Sequence, residues 1–176
     1  GTITSDVTLT AGSTYKLSGE YIVEDGATLN IEAGVKIISI YDDIVDYILV
    51  KQGGKINAVG TSSAPIVMTS EKEEPGAWGG IHICGKAHTN AEGGKGSSEI
   101  GGATYGGNDD ADNSGTLKYV RVEYSGYAFD SEHEANGITF YGVGNGTTVE
   151  YCQAYKGSDD GFEFFGGSVN VSNLVS

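Results

Sequence analysis

The sequence predicts an all-β solenoid, a single-stranded parallel β-helix, and three observations predict it. A phrase of turn and strand returns at a fixed interval: Val23-Glu-Asp-Gly26-Ala-Thr-Leu29-Asn-Ile31 reappears as Val50-Lys-Gln-Gly53-Gly-Lys-Ile56-Asn-Ala58, an offset of 27 residues. Val122-Glu-Tyr124 likewise returns as Val149-Glu-Tyr151, again 27 residues on. Apolar residues alternate with period two along short segments, with no sustained helical period. Between those segments stand glycine and Asp/Asn-Gly pairs, which accept the positive φ of tight bends. A sandwich of hairpins has no reason to repeat a phrase at a fixed interval in the twenties, whereas stacked rungs do.

Each element follows in order. Residues 1–20, rich in Thr and Ser, begin the coil and are expected to cap its first open end, because a bare strand edge invites uncontrolled pairing. Strands are expected at Val7/Leu9, Tyr21/Val23, Leu29/Ile31, Val35/Ile37 and Ile48/Val50, with corners at Asp25-Gly26, Ala33-Gly34 and Gly53-Gly54. Ile81/Ile83 follows the corner Gly79-Gly80. The stretch 71–115 departs from the repeat, and its Gly93-Gly94, Gly101-Gly102, Gly106-Gly107 and Asn108 to Asn113 read as an inserted surface loop. The alternation resumes at Val120/Val122/Tyr124, Ile138/Phe140, Val149/Tyr151 and Phe162/Phe164. There Gly137-Ile-Thr-Phe140-Tyr and Gly161-Phe-Glu-Phe164-Phe give a rung of 24 residues. Val169 to Ser176 reads as a strand that stops without a turn or polar cap. The 1–176 segment is thus expected to be one domain, the amino-terminal portion of a longer chain, with an open last rung suited to self-association.

Composition limits the function. The 29 glycines show no Gly-X-Y period, and 38% apolar residues with 11 tyrosines fit neither collagen nor disorder. Ten basic against 24 acidic residues give a net charge of −14, which repels phosphate backbones and excludes nucleic acid as a partner. No apolar run reaches the ~20 residues of a membrane helix. Cys84 and Cys152 lack a CxxC spacing, so each is expected to pack as a small apolar side chain or free thiol, with a mutual disulfide as the alternative.

Three groups of residues have chemistry to offer, each beside a plainer reading. Asp109, Asp110 and Asp112, flanked by Asn108 and Asn113, offer hard oxygen ligands to calcium, although neither the glycine nor the glutamate of an EF-hand loop follows; a solvated turn is the competing reading. Asp130 and Glu132, with His133 and Glu134, stand in one turn region, and Asp159 and Asp160, with Glu163, stand in the next. Stacking brings such carboxylates to one side of the coil, where a pair can act as acid and base on a glycosidic bond. Aspartate before glycine is also what a turn requires. Tyr124, Tyr127, Tyr151 and Tyr155 offer rings to stack on sugars, or else pack across strands. No HExxH, GxSxG or Gly-Lys-Ser/Thr motif is present.

Taken together, Asp25-Gly-Ala-Thr-Leu-Asn-Ile-Glu-Ala-Gly34, Ala64-Pro-Ile-Val-Met-Thr-Ser70, Gly76-Ala-Trp-Gly-Gly-Ile81, Gly85-Lys-Ala87 and Asp159-Asp-Gly-Phe-Glu-Phe-Phe-Gly-Gly167 resemble a family of bacterial right-handed parallel β-helix proteins. The resemblance implies an exported or lipid-anchored surface protein, extracellular or on the outer face of a bacterium, often with no activity assigned. It also implies distant similarity of fold to pectin lyases and polygalacturonases. Asp159-Asp160 is similar to the paired aspartates of polygalacturonases, but their Gly-His-Gly and Arg-x-Lys segments have no counterpart in this sequence. The leading expectation is a non-catalytic module presenting an acidic, tyrosine-bearing face to a polysaccharide or a surface protein, with calcium as an optional ligand and no cofactor required. A polysaccharide lyase or glycoside hydrolase is the alternative, and a structural stalk the third reading.

Overall fold

The computed structural model describes residues 1–176 and contains three long, wholly parallel sheets. The first rung is β1 (Thr2–Ile3), β2 (Val7–Leu9) and β3 (Thr14–Leu17); the second is β4 (Glu20–Val23), β5 (Thr28–Ile31) and β6 (Lys36–Ser39). The third is β7 (Tyr47–Val50), β8 (Lys55–Val59) and β9 (Ile66–Ser70). In the fourth, β10 (Ile81–Cys84) is followed by an excursion holding a short antiparallel pair, β11 (Gly96–Ser97) and β12 (Thr104–Tyr105). The coil then resumes with β13 (Gly115–Lys118) and β14 (Val120–Glu123). The fifth is β15 (Ile138–Tyr141), β16 (Thr148–Glu150) and β17 (Gln153–Tyr155), and β18 (Phe162–Phe165) and β19 (Asn170–Ser172) begin a sixth. Stacking gives a first sheet β1-β4-β7-β10-β15-β18, a second β2-β5-β8-β13-β16-β19 and a third β3-β6-β9-β14-β17. This is the parallel β-helix that the repeat predicts, right-handed as the resemblance implies, its crossovers in the sense that L-residues favour.

Alternation explains why these residues stack. Val23, Val50, Ile83, Phe140 and Phe164 align as one inward column of the first sheet, and Leu9, Ile31, Ala58, Leu117 and Val149 align in the second. Tyr15, Ile37, Met68, Val122 and Ala154 close the third side. These columns build a continuous core of 24 buried residues. Burying each large aliphatic side chain contributes roughly 1.5–3 kcal/mol. Phe140 on Phe164 and Tyr141 on Phe165 stack with ring centroids 5.0 Å apart.

The first repeated phrase is in true register, since Val23 pairs with Val50 and Leu29 with Ile56. The second is not. Val122 pairs with Ala154 in the third sheet, whereas Val149 pairs with Leu117 in the second, so the shared Val-Glu-Tyr spans two different corners. The likeness has a local cause: Tyr124 and Tyr151 each leave a strand in the left-handed region, at φ 61° and 52°. In the real register Tyr119, Tyr151 and Asn173 form one left-handed column, with φ 50°, 52° and 55°.

Of the stretch 71–115, residues Ile81–Cys84 are a central strand of the coil, because their apolar alternation pairs with β7 and β15. The excursion proper runs from 85 to 114 and folds back over the outer face of the first sheet. Ile100, Ala103 and Tyr105 pack there on Tyr47, Leu49, Cys84 and Tyr141 as a second, smaller core. Gln52 ties the start of this roof to its returning strand, its Nε2 donating to the Gly85 carbonyl at 2.7 Å and the Gly106 carbonyl, just past β12, at 2.9 Å. That is why β7, β10 and β15 are buried on both faces.

Candidate functional site

The corner between the third and first sheets is built from loops 40–46, 71–80, 124–137 and 156–161. Entry to the first sheet there is sterically narrow. Gly80, Gly137 and Gly161 stack so closely that a Cβ on Gly80 would run into the Gly137 carbonyl, and one on Gly137 into that of Gly161. The glycine of Asp159-Asp160-Gly161 is therefore a requirement of the coil, while the aspartates before it are free to face outward. Trp78 serves the coil as well: it is buried, and its Nε1 donates to the Glu123 carbonyl at 2.7 Å. In the fourth rung this corner projects a finger, closed by the antiparallel bridge of Ala128 with Glu134 and by the Phe129 amide donating to the His133 carbonyl at 2.9 Å.

Four segments, the finger among them, meet in a cleft of about 240 Å³. The finger gives Ser131, Glu132 and Glu134, the next corner Asp159 and Asp160, the strand β18 Glu163, and the roof Glu99. No basic side chain lines it. Glu163 lies on the outer face of the first sheet, in the column of His82 and Thr139, and accepts a hydrogen bond from Asn136 Nδ2. Burial pushes the Glu163 carboxyl above the usual carboxylate range against the pull of that bond. Glu134 is raised by its hydrogen bond to Asp159 and by the charge there. Glu99 is pushed up to about 7, first by burial and then by the charge of Glu163, and its Oε2 is buried without a hydrogen-bond partner.

A buried polar chain anchors Glu99. His82 is fully buried, and its Nε2 lies 2.7 Å from the Gly79 carbonyl, which only accepts; the proton therefore sits on Nε2. Nδ1 must then accept, so the Tyr141 hydroxyl donates to it across 3.1 Å, and the Tyr141 oxygen accepts from the Glu99 amide at 3.3 Å. Burial holds His82 down to about 4, so it is neutral at pH 7.

The cleft gathers three of the four carboxylates predicted from sequence, namely Glu132, Asp159 and Asp160. Asp130 is not among them. It caps the fingertip, accepting from the Glu132 and His133 amides at 2.8 and 2.9 Å and pairing with His133 Nδ1. The Glu132 amide, then the imidazole, holds Asp130 below the usual range. Sequence reasoning missed Glu99, which carries no local signal in a glycine-rich excursion.

The structure does not bring Asp109, Asp110 and Asp112 into one coordination sphere. Asp109 accepts from the Ala111 amide, Asp110 from the His88 amide and ring, and Asp112 from the Lys86 amide and the Ser114 hydroxyl. No group of three or more His, Cys, Asp or Glu side chains is disposed to hold a metal ion.

The four tyrosines do not form one strip. Tyr151 stacks on Tyr119 with centroids 4.9 Å apart and planes 6° from parallel. Tyr155 carries the Arg121 guanidinium 4.3 Å from its ring and the Lys156 ammonium at 5.2 Å, and Tyr124 meets it edge-on. These rings are engaged by their own neighbours. Tyr127 instead touches Phe129 at the finger and lines a second cavity. Cys84 and Cys152 are free and buried in different parts of the coil.

A family model described as a pectate-lyase like beta helix domain matches residues 1–176. No curated protein and no solved structure matches the chain. No helix is long and apolar enough to cross a membrane.

Proposed function

The chain belongs to the family of pectate-lyase like beta helix domains, and from that premise we propose that it is a binding module, extracellular or on the outer face of a bacterium, that holds a carbohydrate in the acidic cleft without turning it over. One observation carries this reading: the cleft is lined only by hydrogen-bonding side chains, six carboxyl groups and the Ser131 hydroxyl, drawn from the finger, the next corner, β18 and the roof. Carboxylates are strong acceptors for sugar hydroxyls. The absence of a cation from the lining disfavours uronic acids and favours neutral or amino sugars. Calorimetric titration with neutral, amino and uronic oligosaccharides tests the reading. Neutral or amino sugars should bind and uronates should not, and Asp160→Asn should weaken the binding; preference for uronates, or no binding by any sugar, would refute it.

One observation supports a second reading, hydrolysis. With its carboxyl raised to about 7, Glu99 carries a proton on about half of the molecules at neutral pH, enough to serve as a general acid, beside Asp159 and Asp160 as candidate base or nucleophile. Release of new reducing ends, lost in Glu99→Gln and in Asp159→Asn, would establish it. A lyase would want a cation beside the departing proton, and the cleft lining offers none.

A further inference from the structure

Tyr127, at the base of the finger, lines a separate cavity of about 440 Å³. Tyr41, Asp42, Asp43, Ile44 and Val45 from the 40–46 loop, with Ala77, complete the lining. The chemistry here differs from that of the acidic cleft: two phenol rings and three aliphatic side chains surround two carboxyl groups, with no basic residue among them. Asp42 is occupied locally, accepting from the Ile44 amide at 2.9 Å and the Ser18 hydroxyl at 3.3 Å. Asp43 is exposed. Tyr41 and Ile44 are 45% and 60% exposed, so apolar surface is left open at the cavity mouth. Tyr41 leaves its strand at φ 49°, in the same left-handed region as Tyr119, Tyr124 and Tyr151. Its ring already holds a cation from outside the cavity: the Lys72 ammonium lies 4.5 Å from the ring centroid and donates to the hydroxyl at 2.8 Å.

We propose that this cavity binds a small organic ammonium ion, an amine or quaternary amine with an aliphatic body, its charge against the Tyr127 ring and balanced by Asp43, since the Lys72 ammonium already occupies the Tyr41 ring. Aromatic faces attract such ions through the ring quadrupole, the aliphatic residues take up the methyl or methylene groups, and the carboxylate fixes the sign of the charge. Sugar binding in the neighbouring cleft is not required, so the two assignments stand or fall separately.

The test is a titration of the whole chain with choline and with 3,3-dimethylbutan-1-ol, its uncharged isostere, followed by NMR shifts of the 40–46 loop and Tyr127. Choline should move these resonances, and the isostere should bind at least several-fold more weakly. Tyr127→Leu, which keeps an apolar wall, should weaken choline by roughly 2- to 30-fold, the range of a cation–π contact. Asp43→Asn should weaken it and leave it less sensitive to salt, and Asp43→Lys, which tethers a competing ammonium at the cavity, should abolish it. Equal binding of choline and its isostere would reduce the site to an apolar hollow and overturn the proposal. So would no binding of choline, or full binding by Asp43→Lys with its melting temperature unchanged.

Discussion

Replacing Tyr141 by Phe removes one oxygen atom from the centre of the buried chain that runs from Gly79 through His82 to Glu99. The ring itself should be retained, since Phe165 occupies the same column one rung on and stacks on Tyr141 with planes 7° from parallel. The hydroxyl is what matters: without it His82 Nδ1, in a fully buried ring, has no donor, and the Glu99 amide loses its acceptor. Leaving one buried polar group unpaired costs about 1–3 kcal/mol, so a loss of about 2 kcal/mol is expected. Equilibrium urea unfolding at pH 7, followed through the single buried Trp78, should show the midpoint falling with the slope unchanged. The same chain sets an acid limit on the wild type. His82 binds its proton at about 4 when folded and at 6.5 as an ordinary imidazole, so between those values the unfolded chain holds more protons and stability falls as pH falls. For this fully buried group the full gap corresponds to about 3 kcal/mol. If Tyr141→Phe stays within ~0.5 kcal/mol of the wild type, the buried His82–Tyr141 hydrogen bond is refuted, because a paired buried group cannot lose its partner at so small a cost.

Glu99 acts in the opposite sense. Its carboxyl is raised from 4.5 to about 7, so the folded state holds the extra proton in that window and stability declines as pH rises through it. Glu99→Gln should melt above the wild type at pH 8 and lose that advantage by pH 5, and parallel melting curves across the range would contradict the shift. At the glycine column, Gly80→Ala meets both a positive φ and the Asn136 and Gly137 carbonyls, whereas Gly26→Ala meets a positive φ in open space. The second should cost about 1–2 kcal/mol and the first enough to reduce folded yield, so equal melting temperatures for the two variants would count against the close stacking. Burial pushes the Cys84 thiol up to about 12 and Cys152 up to about 11, so neither should react with a thiol-specific chromogenic disulfide at pH 8 until urea unfolds the coil. Rapid labelling of the native protein would show that one of them is open to solvent.

What was legible in the sequence is what a solenoid repeats. Val23 over Val50 and Ile138 over Phe162 are fixed by alternation and glycine corners, both local properties, so spacing alone recovers their register. The spacing misled where local geometry recurs without stacking, as at Tyr124 and Tyr151, which solve the same problem of leaving a strand at two different corners. Strands β3, β9, β13 and β17 are harder to see as separate strands, because a rung of varying loop length hides which segments complete it.

The site was half legible for a related reason. Glu132, Asp159 and Asp160 lie on successive turns of one corner, and stacking predicts their approach. Asp130 stands only two residues from Glu132, yet the tight fingertip turns it back on its own amides. Glu99 reaches the cleft only because the excursion folds over the outer face of the first sheet. That return is written in no single spacing. It is written in the outward-facing Leu49, Cys84 and Tyr141, which an open sheet would have left to water and which instead need Ile100, Ala103 and Tyr105 to cover them. An apolar residue at an outward position of a strand is thus the sequence signal for the roof, and a carboxylate on the roof should be sought where its edge meets the acidic corner.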